Sequence, residues 1–342
     1  MTLEQIKTMV SGQEYDFLRT NQHMGDNIIF LTLGGSYAYG TNIPSSDVDV
    51  RGCALNSRSD LLGLTNFEQV VNSETDTTVY SFNKLVQLLL NCNPNVIELL
   101  GCKPEHYFYI TDIGKSVIEN RKLFLTRRAV NSFGGYATQQ LRRLQNALAK
   151  DRMTQADRER MMLGSMERAV KHFETMYSDF DGGAVSLSIG DSKRDDLDVE
   201  VLCDVDLKKY PVRDFSVMLN TLSNIVSDYK GLNHRNKKKD DNHLNKHAMH
   251  LIRLYLICID ILEKGDIVTY RGDDLDLLMS IRNGAYMHED GTYDDAFFRL
   301  VDEYEVKMRK AAEDTSLPDA PDMKKVNDFV MSVNETALRC GV

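Results

Sequence analysis

The chain has 342 residues, of which 42% are hydrophobic and 27% charged, an ordinary globular composition long enough for two domains. Its formal net charge is −10, which disfavours long-range, nonspecific attraction to nucleic acid but leaves room for a local basic groove. No apolar run reaches about 18 residues, residues 1–7 lack the pattern of a signal peptide, and the six cysteines are scattered without a Cys-x-x-Cys pair. No helical membrane span is indicated, and the cysteines fit reduced, mostly buried thiols better than a disulfide frame or a zinc site, which leads to the expectation of a cytoplasmic protein with no membrane partner.

Residues 4–20 read as helical, with Ile6, Met9, Val10, Tyr15 and Leu18 loosely periodic. Ile28, Ile29, Phe30, Leu31, Thr32 and Leu33 form a short apolar run, expected to be a buried strand that empties into Gly34, Gly35 and Ser36. A second strand is expected around Asp47, Val48, Asp49 and Val50, where Val alternates with Asp, and a third over residues 74–82. A helix should follow from Ser81 or Asn83 to Asn91, with Asn93-Pro94-Asn95 starting the next one, Val96 to Leu100.

From Ile113 onward the periodicity is helical. Residues 121–150 predict one or two helices broken near Gly134-Gly135, and residues 158–177 another. Residues 242–263 carry the clearest helical pattern in the chain, and residues 323–338 a last one. Between them, residues 181–240 change character, with an acidic stretch over 191–206 and a basic one over 235–239. They are expected to form a small hairpin or partly mobile insertion. The fold class predicted is α/β (α+β): a small mixed-sheet domain over residues 1–112, then a mainly helical domain over 113–342 with an irregular insertion near 181–240.

On one strand Asp47 and Asp49 would share a face, about 6.5 Å apart. Two carboxylates so placed repel unless a cation neutralises them, and their oxygens suit Mg²⁺ or Mn²⁺. A pair of such ions about 3.5–4 Å apart can stabilise an in-line phosphoryl displacement. The plain alternative is an acidic edge strand that discourages aggregation. Gly34 and Gly35 would let backbone N–H groups approach an oxyanion, with the Ser36 hydroxyl as a further donor. Arg51 shares the strand face and could balance the carboxylates, touch a phosphate or form a simple salt bridge. Thr41 and Ser46 should fix the loop through local side-chain-to-backbone bonds.

On the helix from Asn242, Lys246, His250 and Arg253 line one side, with His243 and His247 alongside. Ala248, Leu251, Ile252, Tyr255, Ile259 and Leu262 should pack on the core. A positive stripe backed by a core suits a triphosphate or an acceptor's phosphates. A solvated charged face is the competing reading, and a zinc site from His243, His247 and His250 a lesser one. Arg271 and Arg282 are further candidates for the cleft, Tyr136 for a base contact, and Lys237, Lys238 and Lys239 for a solvated loop.

The run Gly34-Gly35-Ser36-Tyr37-Ala38-Tyr39-Gly40-Thr41, with Ser45-Ser46-Asp47-Val48-Asp49-Val50-Arg51-Gly52, resembles the signature of the DNA polymerase β-like nucleotidyltransferase superfamily. It is more similar still to the nucleotidyltransferases of the RNA-repair-pathway polymerase β family. The stretches Asn93 to Leu100, Phe133 to Ala137, Lys246 to Arg253 and Ile281 to Gly284 extend that resemblance over roughly residues 25 to 290, with gaps. The resemblance implies a metal-dependent enzyme that moves an NMP from an NTP to an acceptor hydroxyl, using two Mg²⁺ or Mn²⁺ ions. Asp47 and Asp49 would hold the metals. The family pattern asks for a third carboxylate on a neighbouring strand, for which Asp76 is chosen and Glu74 competes, to complete the metal site and help deprotonate the attacking hydroxyl. Gly34, Gly35, Ser36, Lys246, His250 and Arg253 would bind the nucleotide. The acceptor would be an RNA 3′ end, with a protein hydroxyl or a small molecule as alternatives. A non-catalytic nucleotide sensor of the same fold is the alternative of another class.

Overall fold

A computed structural model describes residues 1–148, 154–177, 180–194, 197–230, 241–288 and 291–340. They fall into two units. One comprises Met1–Thr138, Met249–Tyr286 and Asp295–Val342, the other Gln139–Ala248 and Met287–Asp294. The first unit contains a mixed sheet of β1 (Ile28–Leu33), β2 (Val50–Ala54), β3 (Gln69–Asn72), β4 (Thr77–Ser81) and β5 (Tyr107–Ile110). The helices, in chain order, are α1 (Leu3–Val10), α2 (Phe17–Thr20), α3 (Gly35–Tyr39), α4 (Arg58–Leu62), α5 (Phe82–Leu90), α6 (Pro94–Ile97), α7 (Asp112–Glu119) and α8 (Ala129–Leu148). They continue with α9 (Gln155–Met176), α10 (Val212–Lys230), α11 (Asp241–Lys264), α12 (Leu275–Arg282), α13 (Asp295–Asp314) and α14 (Met323–Cys340).

The sheet order is β3-β4-β2-β1-β5. Every residue of β1 is buried, as its unbroken apolar run requires of a strand covered on both faces. β1 pairs antiparallel with β2 and β5, whereas β2 and β4 run parallel, Val50 opposite Thr77. That parallel pair needs a crossover, supplied by α4 and β3. In β4 burial alternates, Thr77, Val79 and Ser81 facing in, and Ser81 then caps α5 by accepting the Lys84 N–H. Asn93 caps α6 with Pro94 in the first turn, as its sequence predicts. The expected mixed sheet followed by a mainly helical region is therefore what the chain forms.

Several elements depart from the sequence-based expectation. β2 begins at Val50, so Asp47 and Asp49 lie in the segment just before the strand. The four-residue strands β3 and β5 are additions. α8 runs unbroken through Gly134-Gly135, because Phe133, Ala137, Leu141 and Leu144 bury one continuous stripe and packing outweighs the glycine cost. α11 is not half-solvated: residues 251–258 are all buried, Arg253 among them. Among the described residues no helix is long and apolar enough to cross a membrane.

In the second unit, β6 (Val185–Asp191) and β7 (Val199–Val205) form the expected hairpin, followed by the additional helix α10. Side chains of α9 complete the edge of β7: Gln155 accepts the Val199 N–H at 3.2 Å, and Glu159 accepts that of Val201 at 3.1 Å. Burial pushes the Glu159 carboxyl up, against those bonds. Lys237, Lys238 and Lys239 lie outside the described residues, as does the side chain of His243.

Candidate active site

β1 delivers the chain to Gly34, whose N–H donates to the Asp49 carbonyl at 2.9 Å. This bond brings the glycine turn against the segment entering β2. A Cβ on Gly34 would stand 2.8 Å from Arg51 Cγ. Gly35 adopts φ +53, and a Cβ there would overlap Asp49 Oδ2 and lie 2.6 Å from Cγ. The Asp49 carboxylate thus rests on bare backbone, and no other residue type leaves it room. Beyond Ser36 and Tyr37, α3 ends at Gly40, with φ +82. There the Tyr270 ring takes the space of a side chain, and the Arg271 N–H donates to the Tyr39 carbonyl at 3.0 Å. The end of α3 is therefore held by tertiary contacts, as a five-residue helix requires.

Arg51 links two of the expected carboxylates. Its Nη2 lies 2.9 Å from Asp49 Oδ1 and 3.1 Å from Asp76 Oδ1, and its Nη1 donates to the Asp76 and Val50 carbonyls. Asp76 stands in the turn before β4 with φ +44, and its carbonyl accepts the Val50 N–H at 3.2 Å, opposite Asp49. It is exposed, as are Glu74 in the same turn and Asp47. Among the described residues, no three His, Cys, Asp or Glu side chains are grouped so as to share one metal ion. The donor chemistry of Asp47 and Asp49 fits a hard divalent cation. Ser46 fixes the loop by accepting the Ile43 N–H at 2.8 Å, while buried Thr41 Oγ1 has no hydrogen-bond partner among the described residues.

The sequence reading assigned no role to Glu98, which enters the site's surroundings through Tyr39. It follows α6, is half-buried, and accepts a hydrogen bond from the Tyr39 hydroxyl. Burial pushes its carboxyl above the ordinary range, opposed by Arg253, by the Tyr39 hydroxyl and by Arg51. Its one available signal was its place in the Asn93-to-Leu100 stretch. The other candidates fall in different settings. The Arg253 guanidinium stacks 3.3 Å from the Tyr39 ring centroid, His250 is half-buried, and Lys246 is exposed in the second unit. Arg271 is committed to Asp260, at 2.5 Å, and to Asp274. The Tyr136 hydroxyl accepts from Asn93 Nδ2 at 3.4 Å.

Residues 9–163 match the model of the RNA repair pathway DNA polymerase beta family. This is the family that the Gly34-to-Gly52 run resembles, and the matched segment spans the whole five-stranded sheet. That match supports a role of the nucleotidyltransferase type in general terms. Lys246, His250, Arg253 and Arg282 lie beyond the matched residues, so their reading rests on the chain's own structure. No curated protein and no solved structure gives a significant match.

Proposed function

We propose that the chain transfers a nucleotidyl group from an NTP to an acceptor hydroxyl, with an RNA 3′ end as the acceptor and pyrophosphate as the leaving group. The observation that carries this reading is the Asp49 carboxylate seated on the backbone of Gly35. A carboxylate and a phosphate-accepting glycine turn at contact distance are what a cation-bridged triphosphate needs on its two sides. The backbone N–H groups of the turn and the Ser36 hydroxyl would position the β- and γ-phosphates. Divalent cations, Mg²⁺ or Mn²⁺, held by Asp47 and Asp49 would neutralise charge on the α-phosphate and the leaving pyrophosphate. The acceptor oxygen forms its bond to the α-phosphorus, the bond to the bridging oxygen breaks, and the hydroxyl proton passes to a carboxylate, with Asp76 in that role. Arg51 keeps Asp76 opposite Asp49 and acts as a positioning residue. Most of the rate would come from placement and charge, since the reaction has no covalent step on the protein.

One observation favours a second reading, a nucleotide sensor without turnover. Arg51 already contributes a positive charge between Asp49 and Asp76. Pyrophosphate release, followed with each NTP and Mg²⁺ or Mn²⁺ in the presence of RNA, protein lysate or no acceptor, separates the two. Release by the wild type that is lost in Asp49→Asn and depends on RNA supports transfer. NTP binding without release in every fraction transfers the assignment to the sensor, and absence of binding removes both.

A further inference from the structure

Arg253 of α11 and Arg282 at the end of α12 are 8% and 6% exposed, and both belong to the first unit. Three of their guanidinium nitrogens, Arg253 Nε and Arg282 Nε and Nη1, are buried without a hydrogen-bond partner among the described residues. Other buried arginines of the chain are treated differently. Arg271 is paired with Asp260 and Asp274, and Arg142 lies 2.9 Å from Asp228. Arg253 has partial compensation from the face of Tyr39 and from Glu98 nearby. Arg282 has neither: burial and the Arg253 charge together make it easier to deprotonate than a solvated arginine. Two like charges inside a protein, with donors left over, are strongly unfavourable unless an anion joins them.

We propose that Arg253 and Arg282 form a buried binding site for a phosphate group. Planar guanidinium forks match the oxygens of a phosphate in paired hydrogen bonds, and two positive charges match its dianionic form. Tyr39, which stacks on Arg253, is the last residue of α3, and Gly35 is the first, so one short helix joins this pair to the glycine turn. The three nitrogens are covered, so an anion there would be enclosed by protein. The phosphate has two sources: the triphosphate of an NTP, or a phosphomonoester at the end of an acceptor strand. The assignment deepens the nucleotidyl-transfer reading but does not require turnover.

The test is calorimetric titration of sodium pyrophosphate, without divalent cation, into the full chain and its Arg282→Gln, Arg282→Lys and Asp49→Asn variants. Pyrophosphate should bind the wild type and Asp49→Asn, and bind Arg282→Gln about tenfold more weakly or worse. Lysine, which keeps the charge but not the fork, should fall between. Without ligand, Arg282→Gln should melt at or above the wild-type temperature, since an uncompensated charge is gone. Equal affinity in Arg282→Gln, or no binding to the wild type, overturns the site. If Arg282→Gln does not fold, Arg282→Lys and Arg253→Lys carry the comparison, and unchanged affinity in both overturns it equally. Displacement of pyrophosphate by NTP identifies the triphosphate as the source, and displacement by a phosphate-ended but not a hydroxyl-ended oligoribonucleotide identifies the acceptor. Pyrophosphate bound through Arg282, with no NTP ever consumed, leaves this site standing while the transfer reading falls.

Discussion

Gly35 carries two constraints at once, a left-handed backbone and a carboxylate occupying the place of its side chain. Gly35→Ala should therefore cost about 1–3 kcal/mol of stability and displace Asp49, abolishing pyrophosphate release. Urea denaturation beside the release assay checks both, and an active variant of wild-type stability would refute the packing argument. Glu98 supplies a pH-dependent test. Burial raises its pKa above the ordinary value of 4.5, so the folded state binds the proton more tightly than the unfolded chain. The resulting stabilisation is full below pH 4.5 and is lost as pH rises through the folded value. The stability difference between the wild type and Glu98→Gln should accordingly change as pH rises above 4.5, the wild type losing ground. Parallel melting curves would count against it. The glycine turn and the two aspartates were legible in the sequence because they are neighbours along the chain. Arg282 was legible as a candidate for the cleft but Glu98 was not, since its significance arises when the Tyr39 hydroxyl donates to it.

At the level of elements, α8 gives a direct prediction. A Cβ on Gly135 would meet nothing within 4 Å, in the interior of a 20-residue helix. Gly135→Ala should stabilise the protein by about 0.4–1 kcal/mol through the unfolded chain's entropy, read as a rise in melting temperature. A fall would mean that this glycine serves a contact made elsewhere. The same helix shows why local reading stops short. Two adjacent glycines look like a break until the buried stripe on either side is seen to hold them. β1, α5, α6 and α14 were readable because periodicity and caps agree. β3 and β5 have four residues each and sit at the sheet edges, where the pattern is too short to register. α11 was located and its apolar residues assigned to the core, but the enclosure of Arg253 comes from tertiary packing that no periodicity reveals.

For the molecule as a whole, the question is how a chain of net charge −10 would hold an RNA acceptor. Many of its surface cations are already matched locally: Arg19 with Asp16, Lys84 with Glu68, Lys115 with Asp112, Arg160 with Asp157 and Lys325 with Asp322. Such pairs add little stability, yet they remove the excess positive charge that would draw a polyanion from a distance. Among the described residues, Arg253 and Arg282 are buried with guanidinium nitrogens that have no hydrogen-bond partner. Counterion release follows the number of phosphates neutralised, with a slope of about −0.7 per phosphate for single strands. An acceptor held through one or two phosphates should therefore show log K against log salt with a slope near −1, about −0.7 to −1.4. Fluorescence anisotropy of a labelled oligoribonucleotide over a salt series measures it directly. A shallow slope places recognition at the strand end, in and around the site. A slope several-fold steeper would require an extended basic track along the RNA, and would move the search for the acceptor surface away from the Gly34-to-Asp49 region altogether.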